Sequence, residues 1–284
     1  MARKKKNSSH KLFKLLVCIA IAFFTWQYIQ QRELKNRNSS TDGIRLELAI
    51  PRFTEPTTSQ VIEHIGYTVS YNEQRRNPNW VAYELTGEEV DGKEPRGNRF
   101  IPDPLVKGKQ AVDDDYKHSG WDRGHLAPAA DMKWSEQAMD ESFYLSNISP
   151  QNPNLNSGVW KSIEELTREN AQKYDKILVV TGPVFTNENG RGSIGENEVL
   201  IPDAFYKVLL AYDDGYTGIG FYCENVAGKK SLDYYARSID EIEGITGIDF
   251  FHLLPDDTES SVESVYDWDD WKTGQKKKKT KKQE

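Results

Sequence analysis

The stretch "IGYTVSYNEQRRNPNWVAYEL", Ile65 to Leu85, decides the fold. Two runs of alternating apolar residues flank a polar turn containing Asn and Pro, which predicts an antiparallel hairpin. Three later runs repeat the chemistry: "KILVVTGPVF" (176–185), "NEVLIPDAFYKVLLAY" (197–212) and "YTGIGFYC" (216–223). They are β-branched and aromatic, bounded by Gly, Pro and Asn, and with the hairpin they predict a central antiparallel sheet. Helical spacing appears instead in "NSGVWKSIEELTRENAQKY" (156–174), where Val159, Ile163 and Leu166 recur at three- and four-residue steps. Ser238 and Glu241 form a capping-box signature that opens another helix. Strands and helices mixed in this order, without internal repeats, define an α+β class.

With 284 residues, of which 37% are hydrophobic, the chain has enough apolar material for one sizeable core. Only two cysteines are present, Cys18 and Cys223, which excludes a disulfide scaffold and a cysteine-based zinc site. Cys223 alternates with Ile219 and Phe221 and reads as a core-facing strand residue.

Charge is distributed unevenly. The total is −7, the first 37 residues carry +8 and the last 14 carry +6, which leaves −21 for the stretch between. A protein that holds nucleic acid by bulk charge presents a basic face, so phosphate chemistry here requires a local basic pocket or a cation. The basic N-terminus (1–11) is followed by an apolar segment, 12–30, in which Lys14 snorkels, and no small-residue cleavage site follows it. This order predicts a transmembrane signal anchor with a cytoplasmic N-terminus and the remaining chain outside the cytoplasm, in a bacterial envelope. It leaves open a cleaved, secreted form. Residues 31–60 read as a linker, 61–258 as the folded domain, and 259–284 as an acidic and then Lys-rich solvated tail.

Chemistry concentrates in "WDRGHLAPAADM" (121–132). His10 precedes the anchor, and His64 and His252 have no charged cluster beside them in sequence, so His118 and His125 remain as candidates. A metal clip of His118, Asp122 and His125 lacks a fourth ligand, and Gly120 and Gly124 oppose the helix that such spacing needs. In a general-base reading Asp122 orients, Arg123 meets phosphate, Gly124 lets backbone approach and His125 takes a proton from water. A buried Asp–Arg pair at a glycine turn accounts for the same residues. Downstream, Asn147, Asn152, Asn154 and Asn156 offer carbonyl oxygens to a hard cation, or act as turn and cap residues. Glu164 and Arg168, four apart, fit a site or an ordinary helix-surface pair.

"DRGHLAP", "YLSNISPQ", "LNSGVW" and the Glu164 of "SIEEL", in this order and spacing, resemble the DNA/RNA non-specific endonucleases of the ββα-metal fold. That group includes secreted bacterial nucleases and mitochondrial endonuclease G. The resemblance runs from about Ile65 to Pro255 and takes in "LIPDAFYKV" and "SIDEIEGITGIDFF". It implies a ββα-metal nuclease fold whose central antiparallel sheet is flanked by helices. It further implies that His125 is the general base, Asn156 the direct Mg²⁺ ligand and Glu164 the holder of metal-bound water. Arg99 then stabilises the phosphorane, Arg123 and Arg168 contact phosphate, and Asp122 and Asn147 support the site. Mn²⁺ is accepted by the same oxygen ligands. On a straight helix Asn156 and Glu164 stand about 12 Å apart along the axis, so Asn156 must lie at or before the first turn.

The resulting expectation is a membrane-tethered, metal-dependent endonuclease that hydrolyses the phosphodiester bonds of both DNA and RNA. The alternative is a non-catalytic protein on the same fold that holds nucleic acid or another polyanion. The complete His, Asn and Glu set separates the two, since a binding module has no need of it. A homodimer is left open.

Overall fold

The computed structural model describes residues 45–228 and 230–272. The expected cytoplasmic segment (1–11), signal anchor (12–30) and lysine run lie outside the described residues, as does the first part of the linker, 31–44. Among the described residues no helix is long and apolar enough to cross a membrane.

Thirteen strands occur in chain order: β1 Arg52–Phe53, β2 Gln60–Glu63, β3 Thr68–Asn72, β4 Asn77–Thr86, β5 Asp122–His125, β6 Ile148–Gln151, β7 Lys176–Val184, β8 Ser193–Ile194, β9 Val199–Leu200, β10 Ala204–Tyr212, β11 Tyr216–Glu224, β12 Ala236–Arg237 and β13 Ile248–Asp249. Seven of them form the main sheet in the order β12-β11-β10-β7-β4-β3-β2, and every pairing is antiparallel. The hairpin expected from Ile65 to Leu85 is β3 and β4, with a register shift at Ser70/Tyr71.

The central strands are buried on both faces, which explains their near-continuous apolar runs. Val81, Tyr83 and Leu85 of β4 and Phe205, Leu209 and Ala211 of β10 enter one core. Their alternates Trp80, Ala82, Tyr206, Val208 and Leu210 enter a second. Four helices of seven residues or more cover these faces: α1 Glu136–Ser142, α2 Lys161–Tyr174, α3 Ile239–Thr246 and α4 Asp256–Ser264. The first core takes Ile163, Leu166 and Ala171 of α2, and the second takes Ile239 and Ile242 of α3 with Val262 of α4. Each such aliphatic side chain contributes about 1.5–3 kcal/mol by leaving water. Ser238 caps α3 through the expected capping box with Glu241.

Both ends of the domain extend further than the sequence predicts. Residues from 45 onward are not linker, because a 3₁₀ turn at Leu46–Ala49 buries Leu48 and Ala49 and β1 pairs with β13. The acidic tail is folded as far as a one-turn helix at Trp268–Trp271, where Trp271 is fully buried and its carbonyl accepts from Asn170 Nδ2. Two tryptophans among acids carry no helical period, yet the second is a member of the first core and Trp268 packs against it.

Candidate active site

A second, two-stranded sheet carries the histidine. In it β5 pairs with β6 in the register Asp122↔Gln151, Arg123↔Pro150, Gly124↔Ser149 and His125↔Ile148, and the chain then runs on into α2, a β-β-α unit. Gly124 is required by packing: a Cβ there would lie 2.4 Å from Gln151 Oε1. Beyond the strand, Leu126 N donates to Asn147 O, while the Asn147 side chain accepts from Ala127 N and donates to the carbonyls of Ala127 and Ser142. Asn147 therefore braces the segment that leaves His125.

His125 is 8% exposed, and its ring lies 5.4 Å from Phe100 and 5.0 Å, edge-on, from Phe143. Nε2 is buried and has no hydrogen-bond partner. Burial, helped by the charge of Arg96, pushes the imidazole pKa down to about 3. The ring is thus neutral through the physiological range and can accept a proton, as a general base must.

On the other side of β5, Asn156 Nδ2 donates to Asp122 Oδ2 at 2.9 Å. This bond uses the amide nitrogen, so the carbonyl oxygen is the atom left to meet a cation. Asn156 begins a distorted turn, Asn156–Trp160, that is broken by non-helical dihedrals at Gly158 (φ −105°, ψ −113°), and α2 starts only at Lys161. Asn156 therefore precedes the regular helix that carries Glu164.

Glu164 sits in the first turn of α2, beside a cluster of buried charge. Burial pushes its carboxyl up to about 7; Asp131 adds to this, whereas Lys207, Arg168 and Arg96 oppose it. Arg168 donates to Asp131 at 2.8 Å, and Tyr83 donates to the other oxygen of Asp131 at 2.8 Å. Despite these partners burial still raises the pKa of Asp131, which is fully buried. Lys207 is also fully buried; burial pushes it down to about 8 against the pull of Glu164 and Asp131, and its Nζ reaches Leu126 O at 3.4 Å.

The structure distributes the other expected residues unevenly. Arg123 is held by Asp113, with Nε 2.7 Å from Oδ1 and a terminal nitrogen 2.9 Å from the backbone carbonyl, between Phe100 and Tyr116. Any phosphate contact it makes competes with Asp113. Arg99 is exposed, and the guanidinium that lies over Phe143 and acts on both His125 and Glu164 is that of Arg96. His118 lies on an exposed turn with φ +58°, and among the described residues it forms no metal-ligand group with Asp122 and His125. His64 is not free of charged neighbours as its sequence surroundings predict. Its Nε2 is 2.9 Å from Asp103, which also accepts from Ser146, and Nδ1 is 3.8 Å from Glu141. Folding brings these acids from positions about 40 and 75 residues away, and the cluster is structural.

Asp131, Lys207, Tyr83 and Arg96 were not singled out from sequence. A lysine in the apolar run "AFYKVLLAY", at a position that alternates with Phe205 and Leu209, is the one signal that marks the cluster.

A β-β-α unit whose strand carries a buried, neutral histidine and holds Asn156 through Asp122, and whose helix carries the shielded Glu164, has the parts of a hydrolase-type centre. The profile of the DNA/RNA non-specific endonucleases matches residues 45–257, and the chain belongs to that family, a family of endonuclease enzymes. It is similar to "Nuclease EXOG, mitochondrial" of Danio rerio, 37% identical over 229 residues, covering 75% of this chain and 67% of the relative. The human protein of that name is 32% identical over 242 residues, covering 79% of this chain and 65% of its own length. "Endonuclease G, mitochondrial" of Bos taurus is 37% identical over 174 residues, covering 57% of each chain. Among solved structures, one titled as a complex of EndoG with EndoGI aligns with a TM-score of 0.65 and 27% identity, over 72% of this chain and 90% of that one. The mixed fold built on a large antiparallel sheet is the fold of that structure. These relatives are named as mitochondrial, and the bacterial-envelope location expected from the N-terminus finds no support among them.

Proposed function

We propose that this chain is a divalent-metal-dependent nuclease that hydrolyses phosphodiester bonds in both DNA and RNA. The observation that carries the reading is the His125 imidazole: neutral, buried between two aromatic rings, with Nε2 unpartnered. A buried polar atom without a partner costs stability, so its retention fits a proton acceptor for an attacking water.

The donor set fits a hard cation such as Mg²⁺, with Mn²⁺ as an alternative, because Asp122 occupies the Asn156 nitrogen and leaves its carbonyl oxygen to a cation, and the carboxyl of Glu164 stands in the first turn of the helix that follows. When bound, the ion neutralises charge on the phosphate and its leaving oxygen. Asn156 would hold it and Glu164 would orient the water around it, while Asp122 fixes the amide of Asn156 and Asn147 holds the strand end that orients His125. Arg96 acts on both His125 and Glu164, and Arg168 acts on Glu164, so these guanidiniums are placed to meet phosphate, with the exposed Arg99 three residues after Arg96 as a further contact. Contacts to phosphate carry little base information, so cleavage is indifferent to sequence. Where residues 12–30 act as an anchor, the domain works tethered to a membrane.

The test is degradation of plasmid DNA and of a structured RNA in Mg²⁺ or in EDTA, with His125→Ala and Asn156→Ala beside the wild type. Both substrates should be cut only with metal, and both substitutions should stop the cutting. Intact substrates from a folded wild-type protein across the divalent metals would overturn the nuclease reading and leave a polyanion-binding role or a different phosphodiester substrate.

A further inference from the structure

On the sheet face opposite His125, α3 and α4 pack against each other and against β11. Asp240 and Glu243, three residues apart, share one side of α3, and Glu263 comes from the last turn of α4. One carboxylate oxygen from each lies within 4.8 Å of the other two. Glu263 is the decisive member, since it is 3% exposed and its buried Oε1 has no hydrogen-bond partner. Glu243 is satisfied in part, as its Oε1 accepts from Phe250 N at 2.7 Å.

The surroundings add charge of the wrong sign. Asp249 and Glu259 act on both Glu243 and Glu263, while Arg52 is taken up by Asp249 and His252 faces Glu259. Among the described residues none of the three forms an ion pair with a Lys, Arg or His. Burial pushes Glu263 up to about 9 and Glu243 up to about 7. An unpaired buried carboxylate beside two others is costly unless a cation joins it.

We propose that Asp240, Glu243 and Glu263 form a binding site for a hard divalent cation, calcium in preference to magnesium, that fastens α4 to α3. The donor set is all oxygen, as such an ion requires. Ligand flexibility selects between the two. Ca²⁺ accepts irregular shells of roughly six to eight oxygens at about 2.3–2.6 Å, whereas Mg²⁺ demands a near-ideal octahedron at about 2.0–2.1 Å and gives up its water reluctantly. Three carboxylates carried by two helices, with their oxygens within 4.8 Å of one another, match the looser requirement. Protein backbone and water complete the shell. The site lies across the sheet from the nuclease centre and stands independently of it.

The test uses the full chain carrying Asn156→Ala, which removes the cation ligand proposed for activity, and follows Tm in EDTA, CaCl₂ or MgCl₂. Calcium at about ten times its Kd should raise Tm by about 3–5 °C for a domain of this size. Magnesium at the same concentration should give less than half that rise. Asp240→Asn, at an exposed position that the fold tolerates, and Glu263→Gln, which keeps the shape, should each abolish the calcium response. No rise with calcium, or the same rise in both variants, would overturn the site and leave the three carboxyls sharing protons. Equal rises with both ions would overturn the preference for calcium.

Discussion

The two faces of the main sheet are built on opposite rules. Toward α3 and α4 the core is apolar from Trp80 through Val208 to Phe250, and its buried acids, Glu84 paired with Lys176 and Glu263 of α4, stand apart from one another. Toward α2 the core admits a fully buried lysine, a fully buried aspartate and a shielded glutamate. Apolar packing of equal volume would be as stable or more so. A folded domain gathers ionised groups in one place against that alternative where chemistry needs them, and the face carrying them is the one that adjoins His125.

The largest effect expected from this contrast is on rate. His125→Ala should lower cleavage about 10²–10⁴-fold in the folded protein, the range set by losing a positioned base. A variant that cuts at near wild-type rate would move the chemistry elsewhere. Next comes stability. Arg168→Ala strands Asp131 in the core and should cost about 3–5 kcal/mol in urea melts at neutral pH, less where Asp131 is protonated. Ile242→Ala on the opposite face should cost about 2–5 kcal/mol by leaving a cavity, and equally at every pH. Indistinguishable pH dependence in the two variants would erase the difference between the faces.

The third expectation concerns pH. Glu164 must be ionised to accept from water, and its pKa is pushed up to about 7, so kcat/KM should rise with pH through an acid limb near 7. His125, with its pKa near 3, does not set that limb. Since Arg168 lowers the Glu164 pKa, Arg168→Met should shift the limb upward; a limb that stays in place would reassign it.

The same imidazole affects folding in the opposite direction. Its folded pKa lies below the unfolded value of about 6.5, so the stability it contributes is present above pH 6.5 and is lost as pH falls toward 3. The slope is at most about 1.4 kcal/mol per pH unit, and in His125→Phe that part of the slope should vanish. The smallest effect belongs to the quiet face: Ser238→Ala removes one half of a capping box and should cost about 1 kcal/mol.

The same contrast explains what could be read in the chain beforehand. Five strands of the main sheet, β3, β4, β7, β10 and β11, were legible because burial on both faces writes long apolar runs, as in Lys176–Val184, whereas the short outer strands β2 and β12 were not; α3 was legible because Ser238 and Glu241 sit at cap spacing. The histidine strand was legible as a motif, since its acid, glycine and imidazole are adjacent. The charge cluster behind it was not, because Tyr83, Asp131, Arg168 and Lys207 come from four elements far apart in sequence, each plausible alone. Arg96 went unread because residues 91–112 are irregular and offer no period by which to rank it against Arg99. The first and last packed residues, Leu48 and Trp271, sit on single turns too short to show periodicity.

The pairing of β1 with β13 has a consequence for the order in which the domain is made. Arg52 meets Asp249, and Phe53 meets Ile248, across almost two hundred intervening residues. During synthesis the opening strand must wait unpaired until the closing one has left the ribosome, an interval of about 10–40 s at ordinary elongation rates. The hairpin of β3 and β4 and the β-β-α unit emerge complete well before that moment. The nascent chain therefore carries an open hem around a finished centre, and that hem is where a chaperone would have most to hold.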